Sequence, residues 1–262
     1  MKRQKVQDKV WIIGPCSMEN MDFYLETGRE LYEAMRGRNW YYKASFDKAN
    51  RTSLYGGRGP GMNDAIEAFK AIKQEFPDIK LLTDVHETHQ VEKLANYIDC
   101  IQIPAFLCRQ TDLIVESARH FKAINIKKGQ WLGPENVIKS LDKVKDTNSD
   151  CEAWLCERGT NFGYDKMIVD FTIVDQIRKK FDRFVLDCTH STQRSRHVHV
   201  KQGDPILAER FLMSSGIMNY NGIFVETHPR PQEAVSDADC QIPLGRIKNL
   251  LKIHDKIEHS IK

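Results

Sequence analysis

The chain lacks any apolar run approaching the ~20 residues that a membrane-spanning helix needs. It also lacks an excess of charge: the formal net charge is only +3, so bulk electrostatics argues for neither nucleic acid nor an acidic membrane as partner. Its opening "MKRQKVQDKV" runs straight into an apolar strand, without the charged-then-apolar order of a secretory signal. The seven cysteines are an odd number with no C-x-x-C pair and no compact framework spacing, which favours free thiols in a reducing cytoplasm. No segment is poor enough in apolar residues to read as disordered, since hydrophobic residues make up 41% and charged residues 29%.

What is present is one unit repeated. Eight short apolar runs are bounded by turn residues: "VWIIGPCS" (10–17), "WYYKAS" (40–45), "IKLLTDVH" (79–86), "CIQIPA" (100–105), "AINIKKG" (123–129), "EAWLCERG" (152–159), "FVLDCTH" (184–190) and "GIFVETH" (222–228). Helical periodicity fills the intervals at 20–37, 63–75, 88–97, 110–121, 135–146, 165–180, 205–216 and 232–257. Strands apolar on both faces and separated by helices predict a parallel sheet covered on both sides. The expected fold is α/β, a single (β/α)₈ TIM barrel over residues 1–262 with its site at the C-terminal ends of the strands. A doubly wound open sheet also alternates strand and helix, but it would concentrate polar residues near one switch point, whereas here every strand ends in polar residues.

Those ends carry, in order, Cys16, Lys43, Asp84 with His86, Gln102, Lys127 with Lys128, Glu157 with Arg158, Asp187 with His190, and Glu226 with His228. A barrel gathers them at one mouth. Lysine and arginine at an apolar rim lose solvation, so the positive charge left after Asp84, Glu157 and Asp187 are counted asks for phosphate or carboxylate on a substrate. The loop after the second strand, "SFDKANRTS", adds further phosphate donors, and the following "GGRGPGM" is either a substrate-loop hinge or a plain surface turn, since it lacks the G-K-[ST] ending of a P-loop. Gly-Pro stops the first strand and holds Cys16 at the mouth. His190 and Glu226 end the last two strands, neighbours of the first in a closed barrel, and Asp237 could reach over the same edge. One thiolate, one imidazole and two carboxylates suit a divalent transition ion such as Zn²⁺, Fe²⁺ or Mn²⁺. The remaining cysteines read as core thiols, Cys240 as packing near the last helix, and the H-x-H of His197 and His199 as solvent-facing.

With the strand ends laid out, the sequence resembles the 3-deoxy-D-manno-octulosonate 8-phosphate synthases, which condense phosphoenolpyruvate with arabinose 5-phosphate on a (β/α)₈ barrel. The likeness covers nearly the whole chain and is carried by "GPCSMEN", "KASFDKANRTS", "RGPGM", "TDVHE", "QIPAFLCRQTDL", "NIKKGQW", "ERGTNFGYDKMIVDF", "DCTHSTQ" and "FVETHPRPQEAVSDADCQIPL". "DKANR" separates it from the related heptulosonate synthases, which show "KPRT" there. The resemblance implies the metal-dependent class, which has Cys at the end of the first strand, with Cys16, His190, Glu226 and Asp237 as ligands. It implies that Lys43, Lys48 and Lys127 contact phosphoenolpyruvate, joined at its phosphate by Arg158 and the backbone N–H of Ala105. Gln102 falls in the same substrate-binding set. Asn50, Arg51 and Thr52 would hold the sugar phosphate, and Phe106 and Arg109 would reach a neighbouring subunit's site in a homotetramer. Asp84, Glu157 and His190 are the proton-transfer candidates, with Lys43, Lys48, Asp84 and His190 as the expected catalytic set.

Two departures stand out. The family usually shows Gly-Gly-x-Arg after "DCTHSTQ", where this chain reads "RSRHVHVKQGDPILAERF", making segment 191–204 a lid candidate; Thr52 stands where Ser is more usual. A heptulosonate-type synthase acting on another aldose phosphate therefore stays open as an alternative, as does a Schiff-base aldolase using Lys43 or Lys127. A barrel kept for binding without turnover is the third reading.

Overall fold

The structure, a computed structural model, describes residues 9–51, 54–178, 180–194 and 202–261. Thr52, His197, His199 and the middle of the lid candidate lie outside the described residues.

Eight parallel strands pair in sequence order: β1 (Val10–Gly14), β2 (Asn39–Lys43), β3 (Leu81–Asp84), β4 (Cys100–Ile103), β5 (Ala123–Lys127), β6 (Glu152–Glu157), β7 (Arg183–Asp187) and β8 (Gly222–His228). The ring closes where β8 returns to β1, from Val10 opposite Gly222 to Gly14 opposite Glu226. The expected TIM barrel is the observed fold. Alternation along each strand splits the apolar residues in two. Val10, Ile12, Leu82, Cys100, Trp154, Cys156, Val185 and Phe224 fill the barrel interior, while Trp11, Ile13, Ile101, Ile103, Leu155 and Leu186 pack outward with the helices. Every strand is therefore apolar on both faces, which is the pattern seen in the sequence.

Among the described residues eight helices cover the ring: α1 (Met21–Ala34), α2 (Met62–Glu75), α3 (Thr88–Leu94), α4 (Thr111–His120), α5 (Ile138–Thr147), α6 (Val174–Ile177), α7 (Pro205–Ile217) and α8 (Leu244–Ser260). Local chemistry sets their starts. The Asn20 side chain accepts from Phe23 N at the head of α1, and Asp204 accepts from Ile206 N and Leu207 N at the head of α7, with Pro205 in the first turn.

Two helices differ from the periodicity. The expected helix over 165–180 is reduced to one turn of 3-10 helix (Phe171–Ile173) followed by α6, because 160–168 turns back on itself through Thr160 paired with Ile168, and Lys166 bridges to Arg194. The expected helix over 232–257 starts only at Leu244. Before it lie a 3-10 turn (Pro231–Glu233), Asp237 in a left-handed backbone conformation (φ 51°), and a short strand β9 (Ile242–Pro243) beside the end of β8. Neither a left-handed residue nor the backbone preceding Pro243 continues a helix.

Candidate active site

Above the apolar layer of the barrel the inward positions turn polar, and a cavity of about 400 Å³ opens at the C-terminal ends of the strands. Lys43, Asp84, Gln102, Lys127, Asp187 and Glu226 come to it from six strands, with Arg158 and His190 just beyond two strand ends. Lys48, Asn50 and Arg51 line it from the loop after β2, Ala105 and Phe106 from the turn after β4, and Asp237 from the loop before α8. Position 109 departs from this group: Arg109 is exposed, does not line the cavity, and offers its carbonyl to Lys143 Nζ at 3.1 Å.

Cys16, His190, Glu226 and Asp237 form one cluster at the β8–β1 edge, each offering a ligand atom within 4.8 Å of every other. Cys16 Sγ donates to Asp237 Oδ2 at 3.0 Å, and His190 Nε2 lies 3.5 Å from Glu226 Oε2. That Glu226 oxygen is buried and has no hydrogen-bond partner, although an uncompensated buried carboxylate oxygen is costly. Burial raises the Cys16 thiol well above its usual range, and Glu226 and Asp237 raise it further against Lys48 and Lys43. A soft donor, an imidazole nitrogen and two carboxylates converging on an orphaned oxygen make a group able to hold a divalent transition ion.

The surroundings orient these four side chains. Asp187 Oδ2 sits 2.8 Å from His190 Nδ1, turning Nε2 toward the cluster, while its Oδ1 accepts from the backbone N–H of Thr189 and His190. Gln241 accepts from Cys16 N at 3.2 Å and donates to Ser236 O at 2.9 Å, so one amide ties the Cys16 turn to the loop carrying Asp237. Gln193 donates to Asp237 Oδ1 at 3.0 Å and accepts from Arg158. Arg51 is held in turn by Gly57 O, Ser236 Oγ and Val235 O.

The cations are organised by buried acids. Lys43 Nζ donates to Glu226 Oε1 (2.6 Å) and Cys16 O (2.8 Å), and Lys127 Nζ to Asp187 Oδ2 (2.5 Å). Burial works against charge on Lys48, yet Cys16, Asp84, Glu226 and Asp237 around it raise its ammonium above the usual range. Asp84, despite its burial, is held far below the carboxylate range by His86, whose Nε2 lies 3.5 Å away, and by Lys48 and Lys43. Burial pulls the Arg158 guanidinium down from its usual range. The result is a polar pocket able to take an anion beside a group able to take a cation.

Alternation corrects two expectations at the strand ends. Lys127 and Arg158 point into the cavity, so Lys128 and Glu157 point outward; Glu157 faces Lys128 at 3.5 Å, accepts from Gly159 N, and cannot serve a substrate in the cavity. His228 likewise stands aside, stacked on Phe23 and 3.3 Å from Glu19. The "GGRGPGM" glycines fold back on β2: Gly61 N donates to Phe46 O and Arg58 pairs with Asp47, while Gly56 and Gly57 line the cavity. Cys240 packs against Gly203. Gln193, Gln241 and Ser236 carry no sequence signal for these contacts, since amides and a hydroxyl leave no charge pattern.

The DAHP synthetase I family matches residues 5–262. Among curated relatives, the 2-dehydro-3-deoxyphosphooctonate aldolase of Wolinella succinogenes is 40% identical over 255 residues, covering 92% of this chain and 96% of the relative. Proteins of the same name from Fusobacterium nucleatum and Helicobacter pylori are each 38% identical, covering 97% and 99% of this chain and 91% and 95% of their own. On this full-length agreement, and with a barrel and strand-end site of the kind the motifs imply, the chain belongs to the DAHP synthetase I family, among relatives that carry the aldolase name.

Proposed function

We propose that this protein joins phosphoenolpyruvate to an aldose phosphate, arabinose 5-phosphate in the first instance, with water, yielding 3-deoxy-D-manno-octulosonate 8-phosphate and inorganic phosphate. The observation that carries this reading is the four-ligand cluster of Cys16, His190, Glu226 and Asp237 set beside the lysines and Arg158 in one cavity. The relatives' shared name points the same way.

Both substrates are anions that repel, so the first task of the site is to hold them together; orientation then replaces much of the entropy cost of a bimolecular encounter. Lys43, Lys48 and Lys127 bind phosphoenolpyruvate, Arg158 and the Ala105 N–H join Lys127 around its phosphate, and Gln102 lies alongside. Asn50, Arg51 and Thr52 take the sugar phosphate. The enol carbon of phosphoenolpyruvate bonds to the aldehyde carbon, water adds at the carbon bearing phosphate, and phosphate departs by C–O cleavage. Asp84, which lines the same cavity, is the candidate to move protons at the aldehyde oxygen and the water, whereas His190, with Nδ1 against Asp187 and Nε2 toward the cluster, serves as a ligand. Cys16, His190, Glu226 and Asp237 would hold a Zn²⁺, Fe²⁺ or Mn²⁺ ion, which would supply Lewis acidity beside the substrates. We place the enzyme in the cytoplasm, one barrel domain per chain, as a homotetramer with Phe106 and Arg109 directed to a neighbouring copy. Arg109 is exposed outside its own cavity, and Phe106, although at its edge, is 60% exposed.

A Schiff-base route is less well supported, because the Lys43 and Lys127 ammonium groups both donate to buried carboxylates. Phosphate release from phosphoenolpyruvate and arabinose 5-phosphate tests the assignment, using metal-analysed protein with and without a chelator. Chelation and the Cys16→Ala substitution are both expected to abolish turnover, and borohydride to leave no adduct. Full activity of the metal-free enzyme, or a trapped lysine, would overturn it. If other aldose phosphates are used in preference to arabinose 5-phosphate, the heptulosonate-type alternative holds.

A further inference from the structure

We infer that Lys128, which does not reach the cavity, is the positioning residue for its phosphate end. This rests on the reading above, in which Lys127 and Arg158 bind the enolpyruvate's phosphate.

Lys128 is fully buried, an arrangement that needs dedicated partners. It has them: Nζ donates to Leu132 O (2.8 Å), Gly159 O (2.9 Å), Thr160 Oγ1 (2.9 Å) and Gly129 O (3.2 Å), with Glu157 Oε1 at 3.5 Å. These acceptors come from two different loops. Gly129 and Leu132 follow β5, whereas Gly159 and Thr160 follow β6. One ammonium thus laces together the loops that continue the two strands, at the residues next to Lys127 and Arg158.

The outward pair mirrors the inward pair. Each strand end places one cation in the cavity (Lys127, Arg158) and the adjoining side chain outside (Lys128, Glu157). Fixing the outer pair sets the separation of the inner pair, and phosphate recognition by two cations depends on that separation. The same lacing fixes the 129–132 turn, which brings Gln130 to the cavity and Trp131 against Phe106, with ring centroids 6.0 Å apart.

The sugar-phosphate loop after β2 and the Cys16 cluster make none of these contacts. The effect of losing Lys128 is therefore directional. In Lys128→Met, the KM for phosphoenolpyruvate is expected to rise tenfold or more, and the inhibition constant for inorganic phosphate competing with it to rise in parallel. The KM for the aldose phosphate and the bound-metal content should stay within about twofold. Thr160→Val removes one of the four hydrogen-bond acceptors and keeps the volume. It should give a smaller shift in the same direction, and it carries the test should Lys128→Met fail to fold. Equal losses in both KM values, or a fall in activity that tracks only the folded fraction, would show Lys128 to be merely structural and overturn the inference. If wild-type protein shows no condensation, the functional reading is what fails. Calorimetric binding of phosphoenolpyruvate alone, compared between wild type and the two variants, then decides the role of Lys128 separately.

Discussion

Asp187 shows how much one carboxylate can organise. It accepts from two backbone N–H groups, pairs with Lys127 and faces His190 Nδ1, and despite its burial His190 and Lys127 hold it far below the usual carboxylate range. Its acceptor at Nδ1 keeps the proton there and the lone pair on Nε2, the nitrogen that faces Glu226 and the ligand cluster. In Asp187→Asn an amide N–H would confront that proton and push the imidazole to the opposite tautomer. Metal affinity should fall ~10–100-fold with little change in circular dichroism, as read by competition with a chromophoric chelator. Unchanged affinity would show that His190 is not a ligand. Asp237 adds a second residue-scale feature. Its left-handed backbone, tolerable for Asp, carries a strain of order 1 kcal/mol that the Gln193, Ser236 and Cys16 hydrogen bonds offset.

Among the elements, β1 and β2 meet most closely where the site begins. A Cβ at Gly14 would lie 2.0 Å from the Lys43 carbonyl oxygen, so glycine alone lets the two strands carry Cys16 and Lys43 side by side. Gly14→Ala should cost about 3 kcal/mol or more by urea denaturation, or yield no soluble protein. Gly245 in α8 has open space around it, and Gly245→Ala should stabilise by up to about 1 kcal/mol. Similar effects from the two substitutions would contradict the packing at Gly14. The loops after β6, β7 and β8 are also joined, through Lys166 to Arg194, Arg194 N to Gln202 O, and Gln202 N to Asp239. Placement of Arg158 and Asp237 therefore belongs to one connected rim.

For the whole molecule, stability is expected to carry a pH dependence far from the mouth. His254 on α8 is buried against Trp11, Ser215 and Gly216, with Lys9, Arg38, Asp255 and Glu258 as its charged neighbours. Burial and Lys9 pull its pKa down to about 4, against roughly 6.5 in an unfolded chain. The unfolded state then binds the proton more readily, so stability is full above the unfolded value and falls as pH drops from there toward the folded value. Between pH 7 and pH 5 the loss is about 2 kcal/mol. His254→Gln should remove that component, measured as the difference in urea stability between wild type and variant at the two pH values. Parallel curves would show that His254 titrates normally. Among the described residues no helix is long and apolar enough to cross a membrane.

Hydrophobic pattern determined the alternation of buried parallel strands and helices, because burial on both faces forces continuous apolar strands, and the polar residues at every strand end separated a closed barrel from an open sheet. The same reading reached Cys16, His190 and Glu226, since residues at strand ends must share a mouth once the ring closes, and Asp237 as a loop residue able to reach over that edge. Tertiary structure decided what periodicity could not. Which of Lys127 and Lys128, or Glu157 and Arg158, faces inward depends on strand register, which is a property of pairing and not of composition. The amides of Gln193 and Gln241 leave no pattern because they act through single hydrogen bonds between distant segments. The shortened helices before β7 and before Leu244 were lost to bridges and turns whose partners lie elsewhere in the chain. Local sequence encodes burial and period, whereas contacts across loops exist only after the barrel has brought them together.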